Sequence, residues 1–567
     1  MPKFSIKKLG VLSRAYRHFN RYRQISIILV KYGFDDVVSM LRIDKLIEIG
    51  SRIISSDEKV ILEKLTRAER LRLALEELGP TFIKLGQILS SQPGLIPVEF
   101  IDELSKLQDD VPPAPFEKVI DIFQNEFGKH PEKLFEFIDK KAIASASIGQ
   151  VYKARMFNGE NVAVKVQRPG IQRIIGIDLE IMLHMATLLE QYIEEMALHN
   201  PVKVVEEFAR SLGKEIDYSI EAKNIKRFQN QIAGNTDIYV PKVYNDYSSK
   251  KILTMEFING IKISDVKQLE QKGYKKKLII KRGANLTLNQ IFTHGFFHAD
   301  PHPGNIFVLE NNVVCLVDFG MVGIIDRKTR EIFVDLVVGI VNEDISLAAK
   351  ALLNLTSWEK RPDSRLFEKD IADFIIKNIS DELQEIEIAV FLKDLLDVVS
   401  RYELKIPADL FLMMKAMATV EGIARQLYPE FDMIKEVKPF LIKVGLSRFR
   451  PRRIANDLIG ISRSMGHFAQ QFPADILEIS RLIKNDKLVF TIEHKGYKEM
   501  ISTIDHVVNR ISFAIIIAAL LIGSALVIKA EVPPVIMGIS IIGFVGFVFA
   551  GFLGGWLLIA ILRSGRL

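Results

Sequence analysis

Two long apolar runs near the end of the chain are the clearest feature of its hydrophobic pattern. Ile511–Ile528 is 18 residues without a charged side chain, and Val535–Leu562 is 28 such residues. Each run is long enough for a helix to cross the roughly 30 Å hydrocarbon layer of a membrane. Because Lys529–Pro534 between them is long enough only for a turn, the pattern predicts a C-terminal transmembrane helical hairpin.

Helical and strand periodicities alternate in the rest of the chain and predict an α+β protein. Apolar residues recur every three or four positions, as in amphipathic helices, over residues 1–50, 202–231, 265–293 and 322–500. Short apolar runs predict three strands, Val162–Lys165, Ile252–Ile258 and Val313–Val317, and Asn311-Asn312 is a turn before the last of them. Residues 171–200 are expected to form one or two inserted helices.

A polar stripe marks one helix of the N-terminal segment 56–113. Gly79-Pro80 is typical of a helix start, because proline is tolerated at the first helical position. Gly86 removes a side chain beside the stripe and allows close approach. The stripe predicts packing against a surface that carries carboxylates, and the alternative is a helix whose polar side faces water. Its members are spaced three and four residues apart: Lys84, Gln87 and Ser91.

Positive charge is concentrated at the N-terminus. The 567 residues carry a formal net charge of +6, and residues 1–24 contain seven Lys or Arg and no acidic residue. Two interpretations stay open for this basic amphipathic arm, residues 1–55: a surface for anionic lipid, or a solvated helix. No basic and aromatic residues interleave as in an RNA reader, so nucleic acid is not an expected partner. The single cysteine, Cys315, lies in an apolar run and is expected to be buried.

One stretch carries the residue types that phosphoryl transfer needs. Asp300 is followed five residues later by Asn305, and Asp318-Phe319-Gly320 comes after the strand predicted at Val313–Val317. Asp300 could position an incoming hydroxyl or water, while Asn305 and Asp318 could hold Mg²⁺ against the phosphates of ATP. No Ala-Pro-Glu follows, so the activation segment that binds peptide substrates in protein kinases is expected to be missing.

The same stretch has a second interpretation as a zinc site. His294, His298 and His302 recur every four residues, which on a helix would place three imidazoles on one face. Pro301 and Pro303 break such a helix before the third histidine, and no glutamate follows in the His-Glu-Xaa-Xaa-His manner. Zinc and a solvated turn are the alternatives to the magnesium interpretation.

A second set of residues is typical of nucleotide binding. Lys165 ends a predicted strand, where it could contact the α- and β-phosphates of ATP. Backbone groups of Glu256 to Ile258 could contact adenine. Upstream, the sequence has the frame of the kinase phosphate loop, Gly-x-Gly-x-x-Gly-x-Val, with alanine in place of the first two glycines: Ala144, Ala146, Gly149 and Val151.

The helix predicted after the inserted segment offers carboxylates in two directions. Asp217 and Glu221 lie one turn apart on one face, and Glu215 points about 120° from Glu221 at 100° per residue. One carboxylate could pair with Lys165, as in the kinase lysine–glutamate pair, and another with Lys84. Which of the three pairs with Lys165 stays open.

Charged and small residues around the hairpin predict its topology and packing. Arg510 precedes it and Arg563 and Arg566 follow it, so the positive-inside rule puts both ends and the catalytic body in the cytoplasm. A self-packed hairpin and a homodimer explain the small-residue steps equally well: Gly546 with Ala550, and Gly551 with Gly555.

Together these motifs resemble the UbiB family of atypical kinase-like proteins, which is linked to ubiquinone biosynthesis. The resemblance covers residues 56–430, and the paired C-terminal helices look like those of the bacterial members. The residues that match the family's motifs are Lys84-Leu85-Gly86-Gln87, the alanine-rich loop Ala142–Gly149, Lys165, Glu215-Ile216-Asp217, Glu221, Asp300, Asn305 and Asp318.

The resemblance implies a protein kinase-like two-lobed fold with a helical N-terminal extension over the cleft. It implies that the protein binds Mg-ATP and acts as an ATPase. The implied catalytic residues are Asp300, Lys165 and Glu221. The implied metal ligands are Asn305 and Asp318. The implied regulatory residues are Lys84, Gln87, Glu215 and Asp217.

The resemblance also implies a supporting role in the synthesis of ubiquinone or another polyprenyl quinone at the bacterial inner membrane. Phosphoryl transfer to a small molecule, lipid or protein is one way to provide it. The implied partners are ATP, an anionic lipid membrane and the precursors or enzymes of quinone biosynthesis. The alternative is a nucleotide-binding membrane scaffold without turnover that organises those enzymes. A quinone-ring hydroxylase is disfavoured, because no dinucleotide motif or iron-ligand triad occurs.

These observations predict six segments along the chain. The basic arm (1–55) and the extension (56–113) precede a kinase-like N-lobe with inserted helices (114–260). A kinase-like C-lobe (261–435), a helical juxtamembrane region (436–509) and two transmembrane helices (510–562) follow.

Overall fold

The computed structural model of the chain describes most of its length. The described ranges are 19–40, 64–91, 98–107, 111–192, 200–358, 360–378, 387–447, 497–530, 532–536 and 539–563, with isolated residues between them. The chain divides into two compact units, Met1–Ile454 and Ala455–Leu567. The rest of the predicted arm and much of the predicted juxtamembrane region lie outside the described residues.

The first unit begins with helices of the N-terminal segment. In α3 a capping box fixes the start, because Thr66 accepts from the Glu69 N–H while the Glu69 carboxylate accepts from the Thr66 N–H. Proline stands at the first position of α4, as the sequence predicts. The helices are α1 (Phe19–Lys31), α2 (Asp35–Met40), α3 (Arg67–Leu78), α4 (Pro80–Leu89) and α5 (Val98–Leu104).

A helix and a small antiparallel sheet form the N-lobe. Helix α6 (Phe116–Phe127) was not expected in a segment that reads as strands. The sheet has the order β1-β3-β4-β6, with β2 paired to β3. The register of β3 on β4 places Val151 opposite Lys165. The strands are β1 (Phe137–Ile138), β2 (Ala144–Ser145), β3 (Gly149–Arg155), β4 (Asn161–Gln167), β5 (Ile238–Tyr239), which joins a second sheet, and β6 (Ile252–Glu256).

Among the described residues three helices lie between β4 and β5, and the first of them confirms the inserted helix expected at residues 171–200. They are α7 (Ile171–Tyr192), α8 (Pro201–Ile216) and α9 (Tyr218–Gln231). The single helix predicted for residues 202–231 is wrong, because Asp217 leaves the helical conformation (φ −88°, ψ 91°) and separates α8 from α9. The break has tertiary causes: the Tyr218 N–H donates to the Lys250 carbonyl, and the Gln167 side chain donates to the Ile216 carbonyl.

The inserted helices share one apolar core with the N-terminal helices. Phe82 and Ile83 of α4 pack in this core with Ile175 of α7 and Phe208 of α8. The apolar side of α1 is buried there too, since Ile25 is 1% exposed, so neither lipid nor solvent covers that part of the predicted arm. The extension and the insertion are therefore one helical body beside the N-lobe sheet.

The C-lobe is mainly helical around a second sheet of order β5-β10-β9-β7. Strand β10 begins at Val313 after two asparagines with positive φ, as the sequence predicts. Strands β11 and β8 pair with each other, and α12 begins at Arg327, so in the fully described stretch 313–358 no activation segment separates Gly320 from the next helix. The expected loss of that segment is confirmed.

The remaining strands and helices of the first unit form the C-lobe. The strands are β7 (Ile261–Lys262), β8 (Phe296–His298), β9 (Ile306–Leu309), β10 (Val313–Leu316) and β11 (Val322–Ile324). The helices are α10 (Val266–Gln271), α11 (Lys276–Leu288), α12 (Arg327–Val341), α13 (Ile345–Leu355), α14 (Ser364–Asn378), α15 (Ile388–Arg401), α16 (Ala408–Leu427) and α17 (Met433–Ser447).

The second unit contains a helical hairpin, α18 (Tyr497–Lys529) and α19 (Ile541–Arg563), whose two helices pack together. Both are long and apolar enough to cross a membrane. The second helix begins later than the apolar run predicts, because β12 (Val535–Ile536) and β13 (Ile539–Ser540) form the turn. A Cβ at Gly546 would lie 2.4 Å from Ser524 Oγ, and Ala550 is fully buried, so this small pair serves the hairpin itself.

Candidate active site

A largely buried lysine lies between two carboxylates where the lobes meet. Strand β4 carries Lys165, whose Nζ lies 2.9 Å from Glu221 Oε2 on α9 and 3.6 Å from Asp318 Oδ2. Of the three acidic residues that the sequence offers, Glu221 is therefore the one that pairs with Lys165. Three segments far apart in the sequence meet at this point: the N-lobe strand, helix α9 and the turn after β10.

The two carboxylates stabilise the charge of Lys165, and Lys165 in turn stabilises the charge of Asp318. Burial works against a charged Lys165, but Asp318 and Glu221 outweigh it and raise its pKa well above the usual value. Burial also works against a charged Asp318, yet Lys165 and the Gly320 N–H lower its pKa to about 2. Burial raises the pKa of Glu221, against the influence of Lys165. At neutral pH the site therefore holds a permanent cation and an ionised Asp318.

A neutral histidine connects the two catalytic turns. His298 Nδ1 accepts from the Asp300 N–H at 3.2 Å, and its Nε2 donates to the Asp318 carbonyl. Burial lowers the pKa of His298, which suits a ring that accepts at one nitrogen and donates at the other. This imidazole fixes the backbone of the Asp300 loop relative to Asp318.

Asn305 lies beside the same turn. Its carbonyl accepts from the N–H of Val317, the residue before Asp318, at 3.1 Å. An amide oxygen and an ionised carboxylate are the hard donors that Mg²⁺ takes when it binds through one or two protein groups and substrate phosphates. The donors of Asn305 and Asp318 thus fit a magnesium ion shared with a nucleotide.

The zinc alternative does not fit this arrangement. His298 is engaged at both ring nitrogens, and His302 accepts from the Gly304 N–H within its own turn. Among the described residues, no group of three or more His, Cys, Asp or Glu side chains could hold a metal ion. His298 and His302 thus serve the backbone of the loop.

The alanine-rich loop is a tight hairpin over the cleft. Ala144 pairs with Val151, and the Ala146 N–H donates to the Gly149 carbonyl at 2.8 Å. Arg168 supports the loop from outside the turn, since its guanidinium donates to the Ala146 carbonyl at 2.7 Å and to Ser145 Oγ at 2.8 Å. The same guanidinium also donates to two carbonyls of the incoming chain, at residues 111 and 112.

Some of the hydrogen-bonding groups at the end of β6 already have partners in the N-lobe. The Glu256 N–H donates to the Lys242 carbonyl at 2.8 Å, and its carboxylate accepts from the Tyr239 hydroxyl at 2.7 Å. Neither group is therefore available to adenine. The expected adenine contact would then be made by the carbonyl of Glu256 and the backbone of Ile258.

The N-terminal extension reaches the site through its polar stripe. Lys84 Nζ lies 2.5 Å from Glu215 Oε1, with both side chains largely buried, so the expected contact of Lys84 with an acidic residue is confirmed for Glu215. Lys84 also contributes to the lowered pKa of Asp318. Asp217 does not take part in the ion pair; it caps α9 by accepting from the Ser219 N–H and hydroxyl.

The rest of the stripe holds the extension together. Gln87 donates to the Leu107 carbonyl at 3.1 Å, so its partner is the extension itself and not a carboxylate. A Cβ at Gly86 would lie 2.3 Å from Leu107 Cδ1 and 2.9 Å from Leu75 Cδ1. The expected close approach at Gly86 is thus confirmed, and the neighbours are leucines.

Sequence reasoning missed three residues that shape the site. Asn224 donates to the Phe319 carbonyl at 3.0 Å and fixes the turn that carries Asp318. Arg168 supports the loop, and the buried ring of Tyr218 lies under Lys165, 5.2 Å from Nζ to the ring centroid. Asn224 comes three residues after Glu221, Arg168 three after Lys165 and Tyr218 one after Asp217. These positions signal only proximity in sequence, because the partners of the three residues are distant in the chain.

Three family models match the chain in order. The ABC1 atypical kinase-like domain matches residues 106–352, the UbiB helical domain matches 371–432, and the ABC1/UbiB kinase-like C-terminal domain matches 495–563. The segments they cover correspond to the lobes, the later C-lobe helices and the hairpin.

Curated relatives cover most of the chain. A probable protein kinase UbiB of Marinobacter nauticus is 37% identical over 401 residues, 70% of this chain and 73% of the relative. A Clostridium pasteurianum protein described as uncharacterized, in the hydrogenase 1 5′ region, is 32% identical over 547 residues, 96% of this chain and 99% of the relative. A Mycobacterium tuberculosis protein solved in complex with erythromycin is 26% identical, with a TM-score of 0.46, over 66% of this chain and 95% of its own.

Proposed function

Since this chain belongs to the UbiB family of atypical kinase-like proteins, we propose that it is a membrane-anchored ATPase that binds Mg-ATP and supports quinone biosynthesis. The observation that carries the proposal is the Lys165–Glu221–Asp318 cluster. A charged lysine held by a helix glutamate, beside an ionised aspartate that follows a strand, is the arrangement that kinases use to bind nucleotide phosphates.

Each residue has a task that its surroundings favour. Lys165 stays positively charged and attracts phosphate oxygens, while Glu221 fixes its direction. Asp318 and Asn305 would hold Mg²⁺, which neutralises the charge of the phosphates when it is bound. Asp300 positions the hydroxyl or water that attacks the terminal phosphate, and His298 fixes the backbone of its loop.

The nucleotide would lie beneath the alanine-rich loop. The loop residues Ala144, Ala146, Gly149 and Val151 form a short hairpin whose turn Arg168 supports. Alanine at the first two positions restricts the backbone conformations that glycine permits. We expect the adenine to meet the backbone after β6, through the Glu256 carbonyl and Ile258.

The extension argues against a peptide as phosphoacceptor. Helix α4 is attached to α8 through Lys84 and Glu215, beside the carboxylates of the site. With no activation segment between Gly320 and α12, a peptide lacks the surface on which protein kinases bind it. A small molecule, a lipid or water fits this arrangement better. Access to the site would be regulated by the extension and the helices on which it docks, through Lys84, Gln87, Glu215 and Asp217.

The membrane and quinone parts of the proposal rest on the hairpin and on the family. Helices α18 and α19 are long and apolar enough to span the inner membrane of a bacterium, and flanking arginines favour a cytoplasmic body. Quinones and their polyprenyl precursors are apolar and reside in that membrane, so an anchored ATPase would act beside them and beside anionic lipid.

A combined binding and turnover experiment tests the proposal. Full-length protein in nanodiscs that contain anionic lipid should show a thermal shift with Mg-ATP and steady-state release of phosphate. Asp300→Asn should keep the thermal shift and lose turnover. If the wild type binds Mg-ATP but releases no more phosphate than Asp300→Asn, the alternative of a nucleotide-binding scaffold without turnover is correct. Loss of quinone in a deletion strain, restored by the wild type, would test the role in biosynthesis.

A further inference from the structure

A tyrosine hydroxyl lies against the glycine of the alanine-rich loop. Tyr218 is the first residue of α9 and only 3% exposed. A Cβ built on Gly149 would lie 2.0 Å from Tyr218 Oη and 3.3 Å from its Cζ. Gly149 does not have a positive φ, so the glycine is needed here for space and not for backbone conformation. The hydroxyl occupies that space.

The register of the sheet shows which side of the loop the hydroxyl is on. Gly149 pairs with Gln167 and Val151 with Lys165 in the antiparallel pair of β3 and β4. Residues two positions apart on a strand share a face, so the missing side chain of Gly149 would point to the same face as Val151 and Lys165. Tyr218 Oη therefore lies on the cleft side of the loop, beside the lysine that faces Asp318.

This hydroxyl has no hydrogen-bond partner among the residues that the structure describes. Buried polar groups are nearly always satisfied in folded proteins, and an orphan hydroxyl is costly unless something in the functional state accepts from it. Burial raises the pKa of Tyr218 above its usual value, so the group stays a donor over the whole physiological range. An acceptor that enters the cleft beside Lys165 would satisfy this hydroxyl.

We propose that Tyr218 is a phosphate-binding residue whose hydroxyl donates to a phosphate oxygen of the nucleotide that Lys165 contacts. This inference rests on the proposed function and adds a second donor to the phosphate site. Phosphate oxygens only accept hydrogen bonds, and they carry the negative charge that Lys165 attracts. The aromatic ring below the ammonium group also keeps Lys165 directed at this point.

Removal of the hydroxyl alone tests the proposal. Tyr218→Phe in the full-length protein in nanodiscs should weaken Mg-ADP and Mg-ATP about tenfold by isothermal titration, while the affinity for adenosine stays the same. The melting temperature without nucleotide should not fall, because the hydroxyl has no protein partner to lose. Tyr22→Phe is the matched control: its hydroxyl is also buried and unpartnered among the described residues, but it lies in the separate core of the helical body.

A second pair of variants tests the packing. Gly149→Ala should lower the melting temperature, and Tyr218→Phe in that background should restore part of the loss, since Oη is the nearest atom to the new methyl group. Equal ADP affinities of wild type and Tyr218→Phe, or tighter binding by the variant, would overturn the inference and leave the proposed function intact. A wild type that binds neither nucleotide would instead overturn the proposed function.

Discussion

Lys165 pairs with two carboxylates that have different tasks. Glu221 is 5% exposed and accepts twice from Lys165 Nζ, at 2.9 and 3.1 Å, so it fixes the lysine. Asp318 lies farther from Nζ, at 3.6 Å, and its side chain is 43% exposed. The exposed carboxylate is the one that a metal ion can reach, which distinguishes a positioning group from a ligand.

We expect Asp318→Asn to remove Mg-dependent nucleotide binding, because an amide cannot supply the charge of the metal's carboxylate. The fold should survive, since Glu221 still pairs with Lys165. Thermal shift with Mg-ATP is the measurement, and Asp121→Asn on the exposed face of α6 is the control. A variant whose melting temperature rises with Mg-ATP as much as the wild type would refute the assignment of Asp318.

The lowered pKa of Asp318 also predicts a pH dependence. A carboxylate whose pKa falls from 3.8 to about 2 on folding adds stability above its unfolded pKa, and that stability is lost as the pH falls towards 2. The difference in unfolding free energy between wild type and Asp318→Asn should therefore be constant between about pH 5 and 7 and shrink below about pH 4. Urea denaturation across this range measures it; a difference that stays constant to pH 3 would contradict the lowered pKa.

Lys84 should be required for the extension to stay docked. Its removal leaves Glu215 without the ammonium group, and we expect Lys84→Ala to cost about 3 kcal/mol, the lower end for a buried pair because Glu215 is 21% exposed. Lys84→Arg should not restore the wild-type stability, because a planar guanidinium does not fit a point-charge site. Urea denaturation and steady-state ATPase assays measure the two effects.

A crosslinking experiment separates docking from a general loss of stability. Cysteines placed by Lys84→Cys and Glu215→Cys, with Cys315 replaced first, should be joined by a short bifunctional thiol crosslinker, because the paired Lys and Glu side chains hold their backbones farther apart than a disulfide spans. Lys84→Cys with Asp217→Cys is the matched control, since Asp217 caps α9 and the ion pair of Lys84 among the described residues is with Glu215. Equal crosslinking of both pairs, or of neither, would show that the observed contact is not the resting state.

Among helices and strands, short-range sequence signals were reliable where neighbouring residues determine the local structure. The Pro80 start of α4, the Asn311-Asn312 turn, and the strands at Lys165 and before Asp318 were all predicted. The break at Asp217 was not, because it depends on Lys250 and Gln167, which are distant in the sequence. Residue spacing could not predict the hydrogen-bond partner of the Gln87 side chain or that of the Glu256 backbone N–H for the same reason.

Arg168 connects the alanine-rich loop to the chain at residues 111 and 112, so its loss should loosen the loop. We expect Arg168→Ala to lower the unfolding free energy by about 2 kcal/mol, since several charge-assisted hydrogen bonds to carbonyls are lost, and to weaken ADP binding. Arg168→Lys should recover little, because one ammonium group cannot reach the same set of carbonyls. Arg155→Ala, an exposed position on the same sheet, is the control for both measurements.

At the scale of the whole chain, the kinase-like fold and the C-terminal hairpin could be predicted but the assembly of the helical body could not. The hairpin follows from the apolar runs and the insertion from the motif spacing, whereas the two lobes are implied by the resemblance to the UbiB family. That α1, α4, α7 and α8 share one core depends on contacts between residues far apart in sequence. A partly buried ion pair, Arg21 Nε to Asp178 Oδ1 at 2.8 Å, also brings the first described helix onto the insertion.

The division of the chain into two compact units predicts a soluble nucleotide-binding fragment. The first unit ends at Ile454, whereas a cut near the start of the apolar run would fall inside α18, which begins at Tyr497. We therefore expect a fragment that ends at Ile454 to be monomeric and soluble, because its cores are built from its own residues, and to bind Mg-ATP as the full chain does. Size-exclusion chromatography and thermal shift measure the two properties. Asp318→Asn in the same fragment is the control for specific binding. A fragment that aggregates or does not respond to Mg-ATP, although the full chain does, would show that the second unit completes the fold or the site.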